Sequence, residues 1–276
     1  MKNRWSDKEA ATAIRVFSRQ GVWLPLSNCI YGSRLLGARK DLVVHGGGNT
    51  SVKTTAKDFA GRQVNTIFVK ASGHDLRSID ADGFTALDLD RLRELEGFSV
   101  LGDEEMLVAL TQAKLDPRSS RPSVESLMHV FLPAPYIFHT HANAVLAVTN
   151  QPDGKKLANK VFGRDIIVLP YAKSGFLLAK KVAVAVRKAP DAKAVVVLKH
   201  GIFSFGASAR EAYDRMIWVV NLAEKYVNTG RKNVFAVASL PTKSSSITDL
   251  APVLRGSLKK FGSLDRGVIL DYRTSR

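Results

Sequence analysis

The chain contains 276 residues, of which 45% are hydrophobic, so it is long enough to bury the core of one large α/β domain. Cys29 is the only cysteine, which excludes an internal disulfide and a cysteine-rich zinc module and favours a reducing compartment, with the cytoplasm as the expected location. The net charge of +16 comes without zinc-finger spacing, an RNA-recognition motif or a heptad-backed basic region, so we interpret it as a solvated basic face and expect no nucleic-acid partner.

The first third of the chain predicts a helix followed by strands around a glycine-rich loop. Ser6 and Glu9 form a capping box, and apolar residues then recur at helical spacing as far as Gly21. Residues 41–45 are typical of a strand that leads into the Gly-Gly-Gly-Asn-Thr-Ser loop at 46–51, after which an extended pattern resumes.

The remaining elements alternate between helices and strands. Ser208 and Glu211 form a second capping box for a long helix that ends near residue 228. Pro122 and Ser123 are predicted to open a helix that carries Glu125 in its first turn. A further helix is predicted over 103–114, and strands are predicted over 66–69, 136–140, 166–169 and 194–198.

This alternation predicts one α/β domain over residues 1–230, with a C-terminal extension over residues 231–276. The extension begins with a polar linker near residues 240–246 and ends in a strand-like segment at 268–272. The longest apolar runs are much shorter than the roughly 20 residues that span a bilayer, and residues 1–13 are not typical of a signal peptide. We therefore expect no membrane partner.

Three histidines follow predicted strands and form a candidate metal site. His139 and His141 are two residues apart in a strand, so both side chains point to the same face while Thr140 points away. His200 follows another strand and would complete a three-histidine catalytic zinc site with an open position for substrate. A His-x-His pair alone is a weak signal, and ordinary polar residues are the alternative interpretation.

Several upstream residues are candidates for binding an anion or for moving a proton. The glycine-rich loop lacks the lysine of a Walker motif, so it is either an anion site or a plain turn. Glu125 is either a general base or a residue that stabilises a helix end. His129 is more typical of a packing residue than of a ligand, and local structure is the expected role of His45 and His74.

A set of motifs resembles, in order, those of the class II aldolase/adducin family. The resemblance is strongest to the aldolase-type N-terminal domain of bifunctional aldolase/short-chain dehydrogenase proteins. It covers roughly residues 25–230, and its motifs are Gly48-Asn49-Thr50-Ser51, Ser72-Gly73, Pro122-Ser123-Val124-Glu125 with His129, His139-Thr140-His141-Ala142, Pro170-Tyr171-Ala172 and His200-Gly201.

The resemblance implies a three-layer α/β/α fold around a mainly antiparallel sheet, commonly assembled as a homotetramer. It implies zinc on His139, His141 and His200, with Glu125 as the acid/base residue and in some members a further ligand. It also implies phosphate contacts at Gly48, Asn49, Ser72, Gly73 and Ser123. Two departures are Val124, which replaces a serine of the sugar-phosphate aldolases, and the absence of a tyrosine proton donor between residues 142 and 165.

These features together predict a zinc-dependent aldolase that acts on a small hydroxy-carbonyl substrate, with sugar phosphates as the expected class. The reaction would pass through a metal-stabilised enediolate. Epimerisation or dehydration at the same zinc site is the nearest alternative. A non-catalytic, adducin-like scaffold is the alternative from another class.

Overall fold

The computed structural model describes residues 1–229, 245–261 and 270. Its centre is a seven-stranded sheet in the order β3-β2-β1-β4-β7-β6-β5, in which every neighbouring pair is antiparallel except β5 and β6. The strands are β1 Asn49–Lys57, β2 Gln63–Lys70, β3 Phe84–Asp88, β4 Tyr136–Thr140, β5 Ile166–Leu169, β6 Ala194–Val197 and β7 Gly201–Gly206.

Helices cover both faces of this sheet. The first nine are α1 Asp7–Arg19, α2 Leu24–Gly37, α3 Leu89–Glu94, α4 Asp103–Gln112, α5 Ser126–Phe131, α6 Asn143–Thr149, α7 Gly154–Phe162, α8 Phe176–Lys188 and α9 Ala209–Thr229. One hydrophobic core packs α1, α2, α6, α7 and α9 on one face, and a second core packs α3, α4, α5 and α8 on the other. Because side chains alternate along a strand, Ile137 and its neighbour Phe138 enter opposite cores. The predicted three-layer α/β/α fold is confirmed.

The chain divides into two compact units, Met1–Arg231 and Lys232–Arg276. In the second unit the described part contains helix α10, Ile247–Phe261, which includes Pro252. The domain boundary predicted at residue 230 lies outside the described residues. So do most of the predicted linker at 240–246 and the terminal strand at 268–272. Among the described residues, each helix is too short or too polar to cross a bilayer.

Two local predictions are wrong. Residues 41–45 form turns rather than a strand: Leu42 and Val43 are buried, whereas His45 has a φ of 22° and Gly46 a φ of 61°, which no extended run accommodates. The second error is the start of α5.

Helix α5 begins at Ser126, four residues later than predicted, because the backbone of the residues before it is paired with the segment at Ala71 and Ser72. Pro122 forms a β-bridge with Ala71, and the carbonyl of Arg121 accepts a hydrogen bond from the amide of Ser72 at 2.9 Å. Glu125 therefore precedes the helix, with φ −91° and ψ 1°, instead of lying in its first turn. Glu125 is thus the N-cap residue of α5, and its carboxylate makes no capping hydrogen bond to the helix.

Candidate metal centre and active site

Four strand ends meet at one edge of the sheet and bring the three histidines together. Asn49, at the start of β1, is paired with His139 near the end of β4, and Thr140 is paired with Ile202 at the start of β7. His200 lies in the tight turn that joins β6 to β7. Antiparallel pairing thus places residues that are distant in sequence at one edge.

The imidazole rings of His139, His141 and His200 form a compact cluster. Their centroids are 4.7 Å apart for His139 and His141, 5.1 Å for His139 and His200, and 5.5 Å for His141 and His200. The carboxylate of Glu125 joins them, and one donor atom from each of the four residues lies within 4.8 Å of the others. As predicted from alternation, Thr140 points to the opposite face, where its hydroxyl donates to Sδ of Met216.

His139 has a fixed ring orientation with one free nitrogen. Its Nδ1 lies 2.9 Å from the carbonyl oxygen of Ile202, so Nδ1 carries the hydrogen and Nε2 presents its lone pair to the cluster. The ring stacks on Phe203 with 3.9 Å between centroids. Burial lowers the pKa of His139 to about 3, which keeps the ring neutral near pH 7, as a metal ligand requires.

The unsatisfied atoms of the cluster test whether a metal ion fits. Nε2 of His200 is buried and has no hydrogen-bond partner among the described residues, although Oε1 of Glu125 is only 2.9 Å away. The Nε2 atoms of His139 and His141 are 3.0 Å apart, and Nε2 of His139 lies 3.5 Å from Oε2 of Glu125. Zinc ligands at 2.0–2.1 Å in a tetrahedron are separated by about 3.3 Å, so these nitrogen and oxygen donors fit such an ion.

Gly201 makes the close approach of the rings possible. A Cβ atom at this position would lie 2.5 Å from the carbonyl oxygen of Thr140, 2.9 Å from the ring of His141 and 3.0 Å from the ring of His139. Any side chain would therefore displace the cluster. This contact explains physically why glycine follows His200.

Glu125 is held by hydrogen bonds to each of its oxygens. Nδ2 of Asn49 donates to Oε2 at 2.6 Å, and the hydroxyl of Ser174 donates to Oε1 at 3.2 Å. Burial raises the pKa of Glu125, but the neighbouring His139 and His200 and the bond from Asn49 outweigh it, so its pKa lies below the ordinary value. A carboxylate beside three histidines can accept a proton or bind a cation.

The predicted anion-binding segments lie side by side next to this cluster. The ammonium group of Lys70 donates to the carbonyl of Gly46 at 2.9 Å, which ties the glycine-rich loop to the end of β2. The amide of Ser72 donates to the carbonyl of Arg121 in the segment that leads to Ser123, and the hydroxyl of Ser123 accepts from the amide of Glu125 at 3.2 Å. Gly48 and Gly73 have φ values of 64° and 84°, which favour glycine.

One candidate, Asn49, has different contacts from those the sequence suggested. The side chain of Asn49, expected at a phosphate, is bonded to Glu125 on one side and His129 on the other. His129 lies outside the four-residue cluster. His45 is exposed, and Nε2 of His74 lies 3.2 Å from the hydroxyl of Ser120; the local roles expected for both stay predictions.

Comparison with known proteins decides the family. The family model described as "Class II Aldolase and Adducin N-terminal domain" matches residues 28–227. The chain belongs to this family. The predicted resemblance is thereby confirmed.

Two proteins are similar to this chain in sequence, and a third is similar in fold. The N-terminal class II aldolase domain of a conserved protein from Thermoplasma acidophilum is 38% identical, with a TM-score of 0.72 over 82% of this chain and 99% of that chain. The sugar-phosphate aldolase from Thermotoga maritima is 20% identical, with a TM-score of 0.53 over 74% and 94% of the two chains, a likeness that shows the fold alone. YuxG of Bacillus subtilis (strain 168), named an uncharacterised oxidoreductase, is 34% identical over 264 residues, which cover 92% of this chain and 38% of YuxG.

The chain therefore spans well under half of this longer relative, whose oxidoreductase name is consistent with a bifunctional arrangement.

Within the aldolase-family domain, sequence reasoning did not single out Ser174 or Lys70. Ser174 follows the motif at 170–172 by two residues, so proximity to that motif was its only signal. Lys70 is 2% exposed, and its position two residues before Ser72 at the end of a strand gave no indication of its burial.

Proposed function

We propose that this protein is a zinc-dependent aldolase of the class II type, which cleaves and forms a carbon–carbon bond in a small hydroxy-carbonyl compound that carries a phosphate group. One observation carries the proposal: a carboxylate and three imidazoles converge at the sheet edge, and one possible ligand atom from each lies within 4.8 Å of the others. Three imidazoles and a carboxylate are the ligand types that zinc takes in catalytic sites.

His139, His141 and His200 are the proposed ligands, and Glu125 lies close enough to join them. When bound, zinc supplies a Lewis acid that polarises the oxygen atoms of the substrate and offsets the negative charge that develops on bond cleavage. The residues around it orient the rings: Ile202 fixes the tautomer of His139, and Gly201 leaves room for both rings.

Glu125 is the proposed acid/base residue. It is ionised, and its two oxygens are directed by Asn49 and Ser174, so it can take a proton from the carbon next to the substrate carbonyl and return it. In the synthetic direction the proton moves from that carbon to the carboxylate, the electrons of the C–H bond leave an enediolate, and this carbon attacks the aldehyde, whose oxygen takes up a proton as the carbon–carbon bond forms. In cleavage the same hydroxyl loses its proton and becomes the aldehyde, the carbon–carbon bond breaks with its electrons staying on the carbonyl fragment, and Glu125 returns a proton to that carbon.

A phosphate is the expected anionic group of the substrate. Lys70 is a buried cation whose hydrogen bonds go to the carbonyls of Gly46 and Ala71, and burial lowers its pKa, so an anion nearby would stabilise its charged form. Backbone amides and hydroxyls around Gly48, Ser72, Gly73 and Ser123 are the candidate donors. Residues 151–276 carry 23 Lys and Arg against 9 Asp and Glu, which favours attraction of anions.

The experiment combines metal analysis with isotope exchange. We expect about one zinc per chain and exchange of substrate-carbon hydrogen with deuterated water in a panel of ketose 1-phosphates. Glu125→Gln should keep the metal and lose roughly 10²-fold or more in turnover, the usual scale for a general base. Glu104→Gln, an exposed carboxylate on α4, is the matched control and should exchange at the wild-type rate.

The outcomes separate the candidates. Stoichiometric zinc with cleavage products supports the aldolase, whereas zinc with a product of unchanged carbon skeleton indicates an epimerase or dehydratase that uses the same site. A protein without metal and without exchange would be a scaffold of the adducin kind. We further propose that the chain assembles as a homo-oligomer in the cytoplasm, as the family resemblance and the single cysteine suggest, with light scattering as the test of assembly.

A further inference from the structure

A continuous hydrogen-bonded chain runs from the interior of the sheet to Glu125. The hydroxyl of Ser51 lies 2.7 Å from Nδ1 of His129, Nε2 of His129 contacts Oδ1 of Asn49, and Nδ2 of Asn49 lies 2.6 Å from Oε2 of Glu125. Ser51 and His129 are fully buried, and Asn49 is 4% exposed. Asn49 and Ser51 are two residues apart in β1, so alternation directs both side chains to the face that α5 covers.

The donor and the acceptor of each hydrogen bond in this series follow from the charge of Glu125, its last member. An ionised carboxylate only accepts hydrogen bonds, so Asn49 must turn its amide nitrogen to Glu125 and its oxygen to His129. Nε2 of His129 must then carry the ring hydrogen, and Nδ1 must accept from Ser51. Each of the three hydrogen bonds in this series then joins one donor to one acceptor. The side chains of Ser51 and His129 thus find their hydrogen-bond partners within the protein.

His129 is neutral and is not available as a ligand. Burial lowers the pKa of His129 to about 3, and its two ring nitrogens are both occupied by neighbours. The rings of His129 and Phe203 make an edge-to-face contact with 6.1 Å between centroids, and His139 stacks on the same phenylalanine. The ring is thus fixed by packing as well as by hydrogen bonds.

We propose that His129 is a positioning residue, which locks the orientation of the Asn49 amide and thereby holds the Glu125 carboxylate toward the histidine cluster. The role rests on the proposed function of Glu125. With the opposite tautomer, Nε2 of His129 would donate nothing, and the amide of Asn49 would be free to rotate. Its oxygen would then face the carboxylate and repel it.

The first test reads the ring directly and needs no activity. In the full-length protein, ¹⁵N chemical shifts of the histidine rings distinguish protonated from bare nitrogens. We expect His129 to be bare at Nδ1 and protonated at Nε2, without titration between about pH 5 and 8, where exposed histidines change charge. A ring protonated at Nδ1, or a charged ring at neutral pH, would overturn the proposal.

The second test separates positioning from simple packing. His129→Leu removes the donor to Asn49, whereas His129→Gln keeps an N–H group near the place of Nε2. We expect the leucine variant to lose about 10- to 100-fold in kcat, the scale of residues that orient a metal site, with KM and zinc content unchanged. The glutamine variant should recover much of this loss. Equal kcat values in the two variants would contradict the positioning role.

The two tests also distinguish this inference from the proposed function. If wild-type protein shows the expected tautomer but no lyase activity, the hydrogen-bonded chain is supported and the aldolase proposal fails. If the wild type is active but His129 has the other tautomer, the aldolase proposal is supported and the positioning role fails. The spectroscopic test uses the wild type, so it can refute the proposal even when a His129 variant does not fold.

Discussion

At the scale of single residues, Gly201 sets how closely the rings of the site can approach. Its missing side chain leaves the space between the carbonyl of Thr140 and the rings of His139 and His141. The glycine is thus part of the site although it offers no ligand atom. Ser174 contributes in a different way, because its hydroxyl supplies one of the two side-chain hydrogen bonds that Glu125 accepts from residues outside the cluster.

Gly201→Ala should weaken metal binding. The new methyl group would displace His139 and His141, so we expect zinc affinity to fall by about 10- to 100-fold, the scale for residues that orient ligands. Calorimetric titration of zinc into metal-depleted protein measures the change. Gly97→Ala is the control, since a Cβ there meets nothing within 4 Å. Equal affinity in the two variants would show that the rings adapt to the added atom.

Ser174→Ala should lower turnover while leaving the metal in place. Loss of one hydrogen bond to a charged group costs about 1.5–3 kcal/mol, which corresponds to roughly 10-fold or more in kcat when the bond reaches its full strength only in the transition state. Steady-state kinetics and metal analysis measure both quantities. Ser99→Ala, at an exposed position, is the control. An unchanged kcat would mean that Asn49 alone directs the carboxylate.

At the scale of secondary structure, predictions succeeded where a short β-prone run lies between turn residues or a helix has a capping box. The strands predicted at 136–140 and 166–169 have the same bounds in the structure, because short runs rich in β-branched and aromatic residues between turn residues leave few alternatives. Ser6 and Ser208 cap α1 and α9 by accepting from the amides of Glu9 and Glu211. The turn at 41–45 was missed, since its apolar residues pack in the core without strand pairing.

Strand β1 carries a lysine whose environment makes stability depend on pH. The side chain of Lys53 donates to the carbonyl of Leu132, and burial lowers its pKa from 10.5 to about 7. The unfolded chain therefore binds more protons than the native protein between about pH 7 and 10.5, and stability rises with pH across this window. Below the window, the cost of burying the charged amine is fully present.

Lys53→Met should remove this dependence. We expect the difference between wild-type and variant unfolding free energies to change by up to about 1.4 kcal/mol per pH unit within the window, with the variant more stable at the acidic end. Urea unfolding at several pH values provides the measurement. Lys57→Met, on the exposed end of the same strand, should follow the wild-type slope. A difference that is constant with pH would refute the assignment.

At the scale of the whole molecule, the cluster depends on strand order, which local patterns do not reveal. The sequence spacing predicted that His139 and His141 point to the same face. Asn49 and His200 reach the same edge only because β4 lies between β1 and β7. The links of Glu125 to Ser174 and of His129 to Asn49 likewise arise from packing of α5 and the loop before α8. These contacts join residues that are distant in sequence, so neither propensity nor periodicity predicts them.

All four donor residues lie in the unit Met1–Arg231, so removal of residues 240–276 should leave one zinc per chain. We propose that the C-terminal extension packs between subunits, so we expect the truncation to change assembly or solubility instead. Metal analysis and light scattering on both proteins measure these effects. Loss of zinc on truncation would show that the second unit supports the site.

The strand order also fixes when the site can form during synthesis. Strands β1, β2 and β3 are sequential neighbours in the sheet and need only residues 49–88, whereas the pairing of β4 with β7 must wait for residue 206. His200 is the last of the four candidate donor residues to leave the ribosome, and it lies in the turn of the β6–β7 hairpin. A chain that stops before this hairpin holds only Glu125, His139 and His141 of the four, so tight uptake of the proposed zinc would mark completion of the sheet and would not guide its early steps.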